Sequence, residues 1–310
     1  MAFTRIHHVG IVTPDLDNAR KVLVDGFGLA VDEHRTPSPA GDPGYGNTSI
    51  LEFPIGEMRY EVAKPNSEDS APGQFLVSTG GRGGIYYISL ASDNFSADVQ
   101  MLVDRGVKLQ DDLGDQQSVF LEPTSVLGLG IQIMAEDNYY AHPHFLGNGN
   151  LTGMAHIGIA ARSAEESRNL WTNIFGFSED TSAERGQEGP DPSRAKGAAD
   201  DPVHLLEYPV GGSVIEISHP TTDDSGTARL VAQRATYGAV YHHTCPYAPD
   251  VHRFTDQAVE NGVIQIGAIP PKGETETVVA WFHPRSCLGM LLEVWNRAPG
   301  EQHHHHHPSR

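Results

Sequence analysis

A chain of 310 residues, 38% of them hydrophobic, is long enough for two ordinary cores, and its formal net charge of -19 argues against nucleic acid and anionic membranes as partners. No apolar run is long enough to cross a bilayer and no signal peptide opens the chain, so a soluble cytoplasmic protein is expected. Two cysteines, Cys245 and Cys287, make neither a disulfide framework nor a CxxC zinc pattern and are expected to be buried free thiols.

Near the start, HVGIV predicts a strand. LDNARKVLVDGF then predicts a helix, with Asp15 or Asp17 as N-cap and Gly28 just past its end. ILEF and MRYEVA predict two more strands. YYISLA opens a second round, with a helix near SADVQMLVDRG and strands at SVFLEP and GIQIMA. Each round is expected to be β-α-β-β-β. The polar, Gly-rich HPHFLGNGNL marks a boundary, and after it the pattern begins again.

The recurrence is residue for residue. Ile6 to Ala30 aligns with Met154 to Ser178, so His8 meets His156, Gly10 meets Gly158 and Gly28 meets Gly176. ILEFPIGEMRYEVAKP aligns with LLEYPVGGSVIEISHP, so Glu61 meets Glu216. GGIYYISLA is paired with GAVYHHTCP with a one-residue shift before the cup position, so that Tyr87 meets His243. EPTSVLGLGIQIM aligns with HPRSCLGMLLEVW, so Gln132 meets Glu293. The same order throughout implies a duplication, with a first module of residues 1–146, a second of 150–298, and a His-rich tail of 299–310 expected to be disordered. The second module carries an insertion, Glu179 to Pro202, expected as a surface loop or a lid.

The aligned positions fall on the first and last strand of each round, where alternate side chains share a face and can point into one cup. In the second module they are His156, Glu216, His243 and Glu293, a set of imidazoles and carboxylates suited to Co, Zn, Ni, Mn or Fe. In the first they are His8, Glu61, Tyr87 and Gln132, and two of these are poor ligands, so that module is expected to lack a metal. His7 and His242, each beside a cup histidine, are expected to face away and pack.

The repeated rounds and the His/Glu/His/Glu set resemble the vicinal oxygen chelate superfamily, which contains glyoxalase I, methylmalonyl-CoA epimerase, type I extradiol dioxygenases and bleomycin-resistance proteins. The resemblance implies an α+β fold of tandem βαβββ modules forming curved mixed sheets, two modules per chain, and one divalent metal ion per chain. The epimerase is favoured by HVGIVTPDLDNA and WFHPRSCLGMLLEV, and that resemblance places Asp200, or Asp201, near the family's catalytic acidic residue. It also makes an acyl-CoA substrate an expectation, with Arg162, Arg168, Arg185, Arg194 and Lys196 available for phosphates. Glyoxalase I is favoured by the complete ligand set, although its shorter Pro-x-Gly approach to the last Glu is missing. The extradiol enzymes share the two-module length; their facial triad would be His156, His243 and Glu293, with His204 as acid/base. Ala280 and Trp281 stand where their Tyr is expected, and Glu216 would be a surplus carboxylate.

The leading expectation is metal-dependent proton transfer alpha to a carbonyl of a small oxygen-chelating substrate, as in an epimerase, isomerase or lyase, with Glu216 or Glu293 as base. The alternatives are an Fe(II) or Mn(II) ring-cleaving dioxygenase and a non-catalytic small-molecule binding or resistance protein. A small-molecule substrate and a possible homodimer are the expected partners.

Overall fold

The computed structural model describes residues 3–111, 116–137, 143–181 and 201–297. The expected tail, Asp200, and most of the 179–202 insertion lie outside the described residues.

The first module begins with strand β1 (Phe3–Val12) and helix α1 (Leu16–Arg20), which continues as a π-helical turn over Lys21–Gly26. Asp15 is the N-cap: its carboxylate accepts hydrogen bonds from the Asp17 and Asn18 amides. Gly28 follows at φ +72, and the linker packs on it so closely that a Cβ there would meet the Gly149 Cα at 2.4 Å. Next come β2 (Asp42–Gly44), β3 (Thr48–Ile55), β4 (Met58–Pro65), α2 (Ala71–Ser78) and β5 (Gly84–Ser92). Helix α3 (Phe95–Asp104), β6 (Ser118–Phe120) and β7 (Ile131–Ala135) complete the module. Among the described residues its second round is one strand short of expectation, with a single bridge between Leu109 and Leu121 where a strand was expected.

The second module repeats this with β8 (Gly153–Ala161), α4 (Ala164–Arg168), a π-helical turn at Asn169–Ile174, β9 (Val203–Val210) and β10 (Ser213–Pro220). It continues with α5 (Gly226–Arg234), β11 (Ala239–Tyr247), α6 (Val251–Glu260), β12 (Gln265–Ile266), β13 (Val279–Phe282) and β14 (Leu291–Trp295). Helices α2 and α5, each joining two rounds, were not expected from the periodicity. The duplication extends to the backbone: Leu127 and Leu288 precede the last strand of their modules at φ 59 and 55, a region side chains rarely adopt.

Among the described residues each module forms one mixed seven-stranded sheet, ordered β2-β3-β4-β1-β5-β7-β6 in the first and β12-β13-β14-β11-β8-β10-β9 in the second. The strands carrying the aligned positions are the four central neighbours: β4, β1, β5 and β7, and likewise β10, β8, β11 and β14. The outer pairs of each four are parallel and the middle pair antiparallel. The faces away from the cups carry Ile, Leu, Val and Phe side chains that merge into one core running through both modules. Phe27 meets Phe254, Phe3 meets Phe175 and Phe177, and the Tyr60 hydroxyl lies 2.9 Å from Thr244 Oγ1. Cys245 and Cys287 are buried and unpaired with each other. Among the described residues no helix is long and apolar enough to cross a membrane.

Candidate metal centre

The four aligned residues of the second module come together. His156 Nε2 lies 2.9 Å from His243 Nε2, and Glu293 Oε2 lies 3.1 Å from each. Glu216 Oε1 approaches from β10, 3.8 Å from His156 Nε2 and 3.9 Å from His243 Nε2. All four side chains are buried. Burial alone would raise the Glu293 pKa, but hydrogen bonds from both histidines and their charge outweigh it and hold the carboxyl well below its usual range.

Local backbone explains the convergence. Gly158 on β8 is the register partner of Glu216 on β10 and of His243 on β11, so it sits between two of the converging side chains. A Cβ at Gly158 would meet the His243 ring at 2.1 Å. The imidazole therefore occupies the space a side chain at 158 would need, and Gly there leaves room for it. The first module shows the same relation, with a Cβ at Gly10 meeting the Tyr87 ring at 1.9 Å. The aligned glycines were legible in sequence; their role was not.

The second device is the β-bulge. Ladder register shifts between Ile6 and His8 on β1 and between Tyr241 and His243 on β11, so His7 and His242 are extra residues. They were expected to face away from the cup, by strict alternation. Instead His242 Nδ1 lies 3.0 Å from His243 Nδ1, and His7 Nδ1 lies 2.8 Å from His8 Nδ1. Burial first, then the neighbouring His243, holds the His242 pKa down to about 3, so its ring is neutral. It orients His243 from behind, as the outer partner of a ligating imidazole does.

The residues fit a divalent ion. Three nitrogen or carboxylate donors, His156, His243 and Glu293, lie within 4.8 Å of one another, with Glu216 close behind. Donors about 3 Å apart are what two bonds of about 2.1 Å to one ion require at right angles.

The first module answers the same geometry differently. The Tyr87 hydroxyl sits between its neighbours, 2.9 Å from His8 Nε2, and donates to Glu61 Oε1 at 2.6 Å. Gln132 accepts from Ser89. Arg59, aligned with Val214 and buried, forms an ion pair with Glu52 at 3.2 Å. A fixed guanidinium and a phenol in the cup oppose binding of a second cation. Burial pushes Glu61 up to about 7, against the Tyr87 hydrogen bond.

Other expected site residues are placed elsewhere. His204 on β9 pairs across the ladder with His219, and His219 meets Ser167 of α4, so His204 lies on the helix side of the sheet and not in the cup. Strand parity decides this: Glu207, not His204, is the register partner of Glu216. Asp201, the neighbour of Asp200, caps α5 by accepting from the Gly226 and Thr227 amides and the Thr227 hydroxyl. Arg162 and Arg168 are paired with Glu166 and Glu179, while Arg185, Arg194 and Lys196 lie outside the described residues. Sequence reasoning missed two indoles: Trp295 packs edge-on to His156 at 5.2 Å and Trp281 to His243 at 5.3 Å, walling the cup.

Residues 7–118 and 153–276 each match a family described as the glyoxalase/bleomycin resistance protein/dioxygenase superfamily. The chain is 25% identical over 152 residues to a mitochondrial methylmalonyl-CoA epimerase of Dictyostelium discoideum, covering 47% of this chain and 82% of the relative. It is 24% identical to that of Bos taurus over 145 residues, 47% of this chain and 74% of the relative. Among solved structures, a mutant 4-hydroxymandelate synthase from Streptomyces coelicolor superposes with a TM-score of 0.68 at 12% identity, covering 96% of this chain and 94% of that one. A halotolerant catechol dioxygenase superposes with a TM-score of 0.58 at 12% identity, covering 96% and 88%. These likenesses to solved structures are likenesses of fold.

Proposed function

We propose a function from the premise that this chain belongs to the glyoxalase/bleomycin resistance protein/dioxygenase superfamily. Its sequence relatives and fold neighbours are enzymes, and the reading supported best is metal-dependent proton transfer alpha to a carbonyl of a small oxygen-chelating substrate. The observation that carries it is the fourth group: Glu216 aims a second carboxylate at the point where His156, His243 and Glu293 converge. A bound divalent ion would supply Lewis-acid stabilisation of an enolate oxygen.

The chain's own residues divide the remaining work. His156, His243 and Glu293 would hold the ion, and His242 fixes the His243 ring. Glu293, 3.1 Å from both histidine Nε2 atoms, would be committed to the ion and is the poorer proton acceptor. Glu216, beyond hydrogen-bond distance of either histidine Nε2, is the base that takes the substrate proton. Trp281 and Trp295 exclude water from the cup.

The test is metal content of protein lacking residues 299–310, beside deuterium uptake from D₂O by methylmalonyl-CoA, the substrate named by the sequence relatives. Co, Zn, Ni or Mn near one per chain in wild type, lost in His243→Ala, is expected. Glu216→Gln should keep its metal and lose exchange by about 10²–10⁴-fold. Full exchange in Glu216→Gln would remove it as base.

A second reading, Fe(II)- or Mn(II)-dependent ring cleavage, is favoured by one observation: the three groups that cluster most tightly are two histidines and one carboxylate. Bound Fe with oxygen uptake on catechol would put it first.

A further inference from the structure

A cavity of about 390 Å³ lies where the two modules meet, beside the first residues of β5 and β11. Its volume is in the range of small-molecule sites. Phe75, Tyr86 and Phe120 of the first module line one side, and Arg234, Tyr237 and His242 of the second line the other. Tyr86 and His242 are repeat equivalents, each the residue before an aligned cup position, so the cavity straddles the duplication. None of His156, Glu216, His243 and Glu293 reaches it.

Its polar groups are unusual for this chain. Among the described residues the Arg234 side chain has no hydrogen-bond or ion-pair partner, and its charged neighbour is another arginine, Arg82. The Arg82 Nε donates to the Thr79 carbonyl, and no acid pairs with it among the described residues. Partial desolvation, then Arg82, lowers the Arg234 pKa, and the two guanidinium groups lie together with no paired acid among the described residues in a protein of net charge -19. The Tyr86 hydroxyl likewise has no partner among the described residues. Its ring leans on Phe75 at 5.0 Å, giving the cavity an aromatic wall.

We propose that this cavity binds a small planar aromatic carboxylate, with its ring against Phe75, Tyr86 and Phe120 and its carboxylate on Arg234. The guanidinium supplies charge-assisted hydrogen bonds, the Tyr86 hydroxyl a further donor, and the aromatic wall the apolar contact. The site is separate from the metal cluster, and the inference does not rest on the proposed reaction.

Benzoate is the probe, titrated calorimetrically into the full chain, with benzamide as its neutral match. Because His242 borders the cavity and touches His243, each titration is run with and without EDTA and in His243→Ala. Saturable benzoate binding is expected in all three, at least about tenfold tighter than benzamide, and weakened about tenfold or more in Arg234→Gln. Tyr86→Phe should weaken it a few-fold. Absence of saturable binding at millimolar benzoate, its loss with EDTA or in His243→Ala, or unchanged affinity in Arg234→Gln would each overturn the proposal. Arg234 sits in the last turn of α5 with its side chain partly exposed and without a partner among the described residues, so Arg234→Gln is expected to leave the fold intact.

Discussion

One added carbon at position 158 would meet the His243 ring at 2.1 Å, on a strand paired on both sides by β10 and β11. Gly158→Ala is therefore expected to cost about 1–3 kcal/mol and to abolish metal binding, read by denaturant melts and metal analysis. Metal retained at wild-type level would show that the ring can move. Glu61 gives a second test, through pH. Its folded pKa of about 7 lies above the ordinary 4.5, so unfolding releases a proton in between. Stability from this group is full below about pH 4.5 and falls as pH rises to about 7, by up to about 3 kcal/mol. Glu61→Gln lacks that loss, so its stability relative to wild type should improve between pH 5 and pH 8. An equal difference at both pH values would contradict a neutral buried Glu61. His7 and His219, held down to about 4 mainly by burial, act with the opposite sign, losing stability as pH falls from 6.5 toward 4. At this scale the sequence made the eight aligned residues legible. It could not show what closes the first cup, because Arg59 becomes a buried cation only through Glu52 on the neighbouring strand.

At the scale of elements, the strands and the first helix of each round were readable because alternation and capping are local. The sequence offered Asp15 or Asp17 as N-cap before an apolar-periodic run, and the structure uses Asp15. The bulges were not readable. A bulge is a relation between two strands, and β1 and β5 come from segments about eighty residues apart, so nothing local marks His7 as the extra residue. These two register shifts turned His7 and His242 from packing residues into partners of the cup. Asp201 shows the converse, a residue that resemblance made a candidate and the fold uses as a cap. Asp201→Ala is expected to destabilise by about 1–2 kcal/mol while leaving metal content unchanged, measured by thermal melts and metal analysis. Metal loss in that variant would bring Asp201 back to the site.

For the whole molecule, the two sheets share one core, so the modules are expected to unfold together. Phe254→Ala, which removes the ring packed on Phe27 and Phe282, should cost about 3–5 kcal/mol and lower a single transition followed by both fluorescence and far-ultraviolet dichroism. Two separate transitions would show modules that are energetically independent. The sequence by itself determined that a unit was copied and which four positions of each copy share a face, because repeat and period are properties of order along the chain. Only the tertiary structure decided that His156, Glu216, His243 and Glu293 meet at one point, that Tyr87 and Arg59 fill the other cup, and that a cavity forms between the copies. Those outcomes depend on register, burial and charge partners supplied by distant segments, and no local pattern encodes them.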